Sequence, residues 1–301
     1  MNGTNKKSVF CVLLSGILWG LITIFIKRLS KGGLDAMNIS FIRMIVSAPL
    51  FTAFLLIKDR EKMKINPKDI PLFIGTGIIS VVLFNSAYFY TMIHSQASIA
   101  VVLLYTSPVF IMILSAIIFR EKITLRKTAA LILTLCGCVF VAGFIGNGYK
   151  ITPLILLTGL GSGLFYGLYT IFGRFALKKY DTLTVNAYTF IFGLIGSAAV
   201  GKPVQTVRVI SAEPELLLWC AGIGIFCTIL PYFFYTKGLE GLDSGKAAII
   251  VAVEPLVGSM LGMAVYHEPH TPLKIAGIAL ILTAIVLLNL PGKKRETENK
   301  I

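Results

Sequence analysis

Two charged side chains stand where charge is expensive. Glu254 lies inside the apolar run AIIVAVEPLVGSM (248–260), and Arg43 lies about two turns into another apolar run. An ionised group near the middle of a bilayer costs at least about 2.5–3.5 kcal/mol, so Glu254 is expected to face a cavity or a partner, or to be protonated. Three roles fit a lone carboxylate there: proton coupling, ligation of a cationic substrate group, or a structural hydrogen bond to a neighbouring helix. Arg43 can snorkel outward or reach an acid across a helix bundle, and it suits either a substrate carboxylate or bundle stability.

Uncharged groups recur at helical spacing around these two. Ser15, Trp19 and Thr23 are four apart and share one helix face, and Ser162, Tyr166 and Thr170 repeat the pattern. Trp19 and Tyr166 each offer a broad apolar surface with one hydrogen-bonding group, as a ligand pocket requires. Gly16, Gly20, Gly163 and Gly167 lie beside them and suit close helix contact. Asn85, Tyr88, Tyr105, Ser107 and Tyr232 extend the polar and aromatic lining, whereas Tyr90 and Tyr235 fall toward the ends of their runs. The expected substrate-binding set is therefore Trp19, Thr23, Arg43, Asn85, Tyr88, Tyr105, Ser107, Tyr166, Thr170, Tyr232 and Glu254. Such a lining suits amphipathic metabolites, aromatic amino acids or lipophilic cations, and Glu254 tilts it toward an amine.

Two prolines interrupt corresponding runs: Pro108 in VVLLYTSPVFIMI (101–113) and Pro255 in the run of Glu254. Each removes an amide donor and crowds the carbonyl four residues back, Leu104 and Val251 respectively. In lipid such a break is tolerated where it faces protein, water or ligand, and paired breaks in two halves of a chain point to a transport site. The alternative is a packing kink without ligand contact.

The elements that must hold these residues are membrane helices. The 301-residue chain is 56% hydrophobic and only 14% charged, with a mean hydropathy of +0.83. These values exclude a soluble domain with a large core. Ten apolar runs are long enough to cross roughly 30 Å of hydrocarbon, near 9–29, 36–57, 70–92, 97–119, 126–145, 152–175, 183–200, 216–237, 245–266 and 272–290. The first is expected to be a retained span rather than a signal peptide, because Trp19, Phe25 and Lys27-Arg28 fit a cleavage site poorly. Of 28 basic residues, 20 fall on one side of this topology, seven on the other and Arg43 within a span. The positive-inside rule puts both termini in the cytoplasm of a plasma-membrane protein. The net charge of +14 then reads as topology and contact with anionic lipid, not as nucleic-acid binding.

The chain is written twice. SGILWGLITIF (15–25) returns as SGLFYGLYTIF (162–172), identical at seven of eleven positions and displaced by 147. Pro108, Glu121, Thr124 and Lys127 match Pro255, Glu268, Thr271 and Lys274 at the same displacement, and Asp35 pairs with Asp181. AYFYT (87–91) pairs with YFFYT (232–236). Two five-helix halves follow, 1–147 and 148–301. Because five is odd, the second half starts on the opposite side, and the expected fold is an all-α membrane protein of ten helices in two inverted repeats. Inverted halves can exchange roles between inward-open and outward-open states.

This arrangement resembles the EamA family, the ten-helix branch of the drug/metabolite transporter superfamily. The likeness rests on Trp19-Gly20, Arg43, the YFYT-type ends of spans three and eight, and Pro108 with Glu121 repeated as Pro255 with Glu268, and covers residues 8–290. It implies movement of small metabolites or drugs across the cytoplasmic membrane, often efflux, through a cavity lined by both halves.

Other classes find little support. There is no G-x-x-x-x-G-K-[ST] motif for ATP-driven transport. The spans carry no aspartate pair or HExxH, so an enzyme is not expected, nor is a cofactor. Five cysteines inside spans read as structural thiols, and His267-x-x-His270 is not expected to hold zinc. Glu121 and Glu268 read as hydrogen-bonding groups at the turn into the next helix. A non-transporting sensor or assembly factor is the alternative to a small-molecule exporter. Spans five and ten, nearly free of polar groups, are expected at the periphery, with faces available to a second copy in a homodimer.

Overall fold

A computed structural model describes residues 3–144, 151–267, 269 and 271–290. Among the described residues the bundle is built from ten long helices: α1 (Lys6–Lys31), α2 (Ala36–Lys58), α3 (Pro67–His94), α4 (Ala97–Phe119), α5 (Leu125–Val141), α6 (Pro153–Leu177), α7 (Thr182–Val200), α8 (Leu216–Leu239), α9 (Ser244–Tyr266) and α10 (Pro272–Asn289). Nine are 18 residues or longer; α5, with 17, sits at the lower limit of a membrane helix. No strand occurs among the described residues. The junction 146–150, Glu268, His270 and the basic tail beyond 290 lie outside the described residues.

Several sequence repeats turn out to be helix caps. The Asp35 carboxylate accepts from the Met37 and Asn38 amides at the start of α2, and Asp181 accepts from Thr184 at the start of α7. Thr124 and Thr271 accept from the Lys127 and Lys274 amides and so start α5 and α10. Each hydroxyl or carboxylate satisfies an amide that the first helical turn leaves unpaired.

The prolines break their helices as the sequence predicts. In α4 the helix stops at Leu104 and resumes at Ser107; in α9 it stops at Val251 and resumes at Val253. The two breaks are covered reciprocally. A Cβ on Gly16 of α1 would lie 2.8 Å from the Val251 carbonyl oxygen, and one on Gly163 of α6 would lie 3.1 Å from the Leu104 carbonyl oxygen. Gly20 and Gly167 repeat the relation one turn on, against the Glu254 and Ser107 carbonyls. The duplicated helix is thus the lid over the other half's broken helix, and only glycine lets the backbones approach that closely.

The remaining helices pair across the halves in the same way, α2 with α7, α1 with α8 and α3 with α6. The α5–α10 pair meets backbone to backbone, a Cβ on Gly277 falling 2.7 Å from the Gly137 carbonyl oxygen. Ile132, Ile275, Leu282 and Val286 on this pair are exposed, in keeping with a peripheral position. The periphery is not their whole role, however, because Val141 and Lys274 reach the central cavity.

Candidate functional site

A cavity of about 350 Å³ lies between the halves. Most of its wall residues come from the later parts of α1, α3, α5 and α9 and the earlier parts of α2, α4 and α10, with one tyrosine each from α6 and α8, so it extends toward the face where α1 ends. Nine of the expected residues line it: Trp19, Thr23, Arg43, Asn85, Tyr88, Tyr105, Tyr166, Tyr232 and Glu254, with Pro255 beside them.

Ser107 and Thr170 stand outside this lining, and inversion explains the second. Thr23 lies one turn beyond Trp19 toward the open face. Thr170 lies one turn beyond Tyr166, but α6 runs the other way, so it falls on the closed side. There its hydroxyl meets the Tyr235 hydroxyl at 2.8 Å. Ser107 is buried at the start of the second segment of α4, against Gly167. Pro108 is likewise buried away from the cavity.

An aromatic floor separates the cavity from the opposite face. The Trp19 ring packs on Tyr232 at 5.1 Å and Tyr235 at 5.6 Å, and Tyr232 packs edge-on against Tyr169 and Phe190. Tyr169 and Thr236 hydroxyls meet at 2.7 Å beneath. Below the floor Glu121 ties three helices together. Its carboxylate accepts from Arg174 of α6 at 2.8 Å and from the Ser244 and Gly245 amides that open α9. Sequence reasoning expected Glu121 to bond at the turn into α5; instead it reaches across to the second half, because Arg120 before it takes a left-handed conformation (φ 55°) that turns the chain back. Arg174 also donates to the Leu242 carbonyl, and Lys127 pairs with Asp243 at 3.1 Å.

The two charges are held differently. Arg43 neither snorkels nor finds an acid: its Nε donates to the Thr228 hydroxyl at 2.9 Å and its Nη2 lies 3.5 Å from the Cys227 carbonyl, both on α8. Glu254 makes no hydrogen bond or ion pair among the described residues. Asn85 donates from Nδ2 to the Val81 carbonyl, leaving its amide oxygen facing the cavity as an acceptor. The wall thus presents a guanidinium from the first half, a carboxylate and the Lys274 ammonium from the second, and aromatic surface. That combination can bind a small molecule carrying both an acid and an amine, or move a proton at Glu254.

Sequence reasoning missed Ile22, Ile26, Phe84, Ser259 and Lys274, all on the wall. Ile22 and Ile26 follow Trp19 by three and seven, and Phe84 precedes Tyr88 by four, so extending each helical face would have found them. Ser259, whose buried hydroxyl has no partner among the described residues, carries no such signal. Among the described residues no cluster of His, Cys, Asp or Glu could hold a metal ion.

Comparison with known proteins agrees with this architecture. The EamA-like transporter family matches twice, over residues 6–143 and 153–290. A protein of Archaeoglobus fulgidus called an uncharacterized transporter is 26% identical over 94% of this chain and 98% of its own length. The YojE transporter of Bacillus subtilis is 25% identical over 98% and 97%, and the inner membrane transporter YicL of Salmonella typhimurium 22% identical over 97% and 98%. One crystal structure superposes with a TM-score of 0.78 at 15% identity, covering 94% of this chain and 96% of that one, a likeness of fold. With two family matches, one on each half of the fold, the chain is a member of the EamA-like transporter family.

Proposed function

We propose that this protein is a secondary transporter that exports small organic zwitterions, amino-acid-like or amphipathic, across the cytoplasmic membrane by alternating access. One observation carries the reading: Arg43 and Glu254, from different halves, face one aromatic cavity, and neither is paired with an opposite charge among the described residues. A carboxylate on Arg43 and an ammonium on Glu254 would neutralise both charges, which explains why a membrane protein keeps them unpaired. Amphipathic amines lacking a carboxylate would use Glu254 and the aromatic walls alone. The bias of basic residues supports cytoplasmic termini, so the cavity faces outward and the Glu121–Arg174 contact closes the inner side. In the exchanged state, Thr170 and Tyr235 would come to the wall and Thr23 would be covered. Glu254 is the coupling candidate, taking up a proton when no ammonium is present. The halves divide at 147/148, catalysis and nucleic acid have no part in this reading, and the exposed α5–α10 face is where a homodimer would form.

The test compares metabolites released by cells expressing the wild type, Trp19→Ala and Glu254→Gln at matched membrane abundance. Release of a defined zwitterionic set by the wild type, reduced in both variants, supports the reading. Release equal to that of the empty vector in all three, together with no flux in liposomes, points to a sensor or assembly factor instead.

A further inference from the structure

The device that aims Arg43 is written into α8. In that helix a proline, Pro231, stands four residues after Cys227. It has no amide to give the Cys227 carbonyl, which therefore loses its α-helical partner. The chain answers with a π-helical turn over Ile225–Ile229, a conformation found frequently at functional positions. Thr228 lies inside that turn. Its single hydroxyl proton goes to the Ile223 carbonyl, five residues back, at 3.0 Å. The hydroxyl oxygen is then committed as an acceptor, and the Arg43 Nε–H fills it at 2.9 Å while Nη2 lies 3.5 Å from the Cys227 carbonyl. Both anchors lie on α8 and engage Nε and Nη2, and the Nη1 donors have no protein partner among the described residues.

The other half also carries a π-helical stretch, without the charge and without the proline. α3 has a π-helical stretch over Gly75–Leu83, where Ser80 donates to the Gly75 carbonyl, again five residues back, at 2.7 Å. There Thr189, the repeat mate of Arg43, reaches Thr76 at 2.7 Å. A hydroxyl bonded five residues back within a π stretch is thus common to both halves, but only in α8 does that same hydroxyl, Thr228, also receive a donor from the neighbouring helix.

We propose that Thr228, with the Cys227 carbonyl freed by Pro231, is the positioning element that fixes Arg43 as the carboxylate receptor of the cavity. This specificity role rests on the transport reading; the geometric part does not. Full-length protein in nanodiscs is labelled with ¹⁵N arginine, and the Arg43 Nε–H signal is assigned by its loss in Arg43→Gln. That proton is expected to exchange slowly in the wild type and in Thr228→Ser, and at least about tenfold faster in Thr228→Val and Pro231→Ala. Binding of two probes, phenylalanine and phenethylamine, is measured alongside. Thr228→Val is expected to weaken phenylalanine about tenfold and phenethylamine less than about twofold, with Thr228→Ser restoring the difference. Unchanged exchange in Thr228→Val overturns the proposal. So does an unchanged preference for phenylalanine in Thr228→Val while Arg43→Gln abolishes it. If the wild type binds neither probe, the zwitterion reading fails by itself, and the exchange data still decide whether Thr228 holds Arg43.

Discussion

Gly16→Ala tests the reciprocal covering of the broken helices. The new methyl would sit 2.5 Å from Val253 Cγ1 and 2.8 Å from the Val251 carbonyl oxygen. Unstrained contact between carbon atoms needs roughly 3.5 Å, so α1 and α9 must part by the better part of an ångström. The valine methyl can turn aside, but the carbonyl belongs to backbone already bent by Pro255 and has nowhere to go. Overpacking of this kind costs about 1–3 kcal/mol. Replacing a mid-helix glycine by alanine returns about 1 kcal/mol, which leaves a net destabilisation of up to about 2 kcal/mol. In a chain of this size the upper end is a fall of several degrees in Tm. The assay is thermal unfolding in detergent, with Gly173→Ala as the internal control. Beyond its own helical turn, none of the described residues comes within 4 Å of a Cβ at Gly173 on α6, so that variant is expected to be as stable as the wild type or slightly more so. Equal shifts for the two variants would refute the claim that contact with the break, rather than helix propensity, keeps glycine at position 16. Gly163→Ala should behave as Gly16→Ala does, because it meets the Leu104 break.

Three further outcomes follow from the same geometry. Glu121→Gln keeps hydrogen-bonding capacity but loses the charge paired with Arg174; spin labels at the ends of α4 and α9 on that face should show a longer-distance population, and a distribution like that of the wild type would exclude a closing role. Arg43→Gln should weaken a carboxylate-bearing ligand at least about tenfold while sparing a simple amine, and Glu254→Gln should do the reverse, as read by binding to purified protein. On the α1-start face, burial pushes the Asp181 carboxyl up, but the bonds from Lys62 and Thr184 outweigh it and hold the group below its ordinary value. A depressed carboxyl stabilises the folded state above about pH 4 and loses that contribution as pH falls through its folded value. The Tm difference between the wild type and Asp181→Asn should therefore be constant near neutrality and shrink in acid; a difference independent of pH down to about 3 would sink this assignment.

The sequence by itself determined the class and the symmetry. Apolar runs of helical length have one solution in lipid, since every backbone amide must find a partner within the segment. A repeat of odd helix number inverts without further information. Glu254 and Arg43 announced themselves because charge in such runs is too costly to be incidental, and Trp19 and Tyr166 because they share a helix face with other polar groups. What the sequence could not reveal was which partner each group meets. The glycines beside Trp19 read as helix contacts, but that they cover the other half's broken carbonyls depends on helices more than two hundred residues apart. Thr23 and Thr170 are equivalent in the sequence and separated in the structure, because one face is open and the other closed. Arg43 had no acid to predict: its anchors are a threonine hydroxyl and a carbonyl on α8, made available by a proline whose effect is local but whose beneficiary is 188 residues away. Local chemistry sets what each residue can offer, and only the packing of the two halves decides what accepts it.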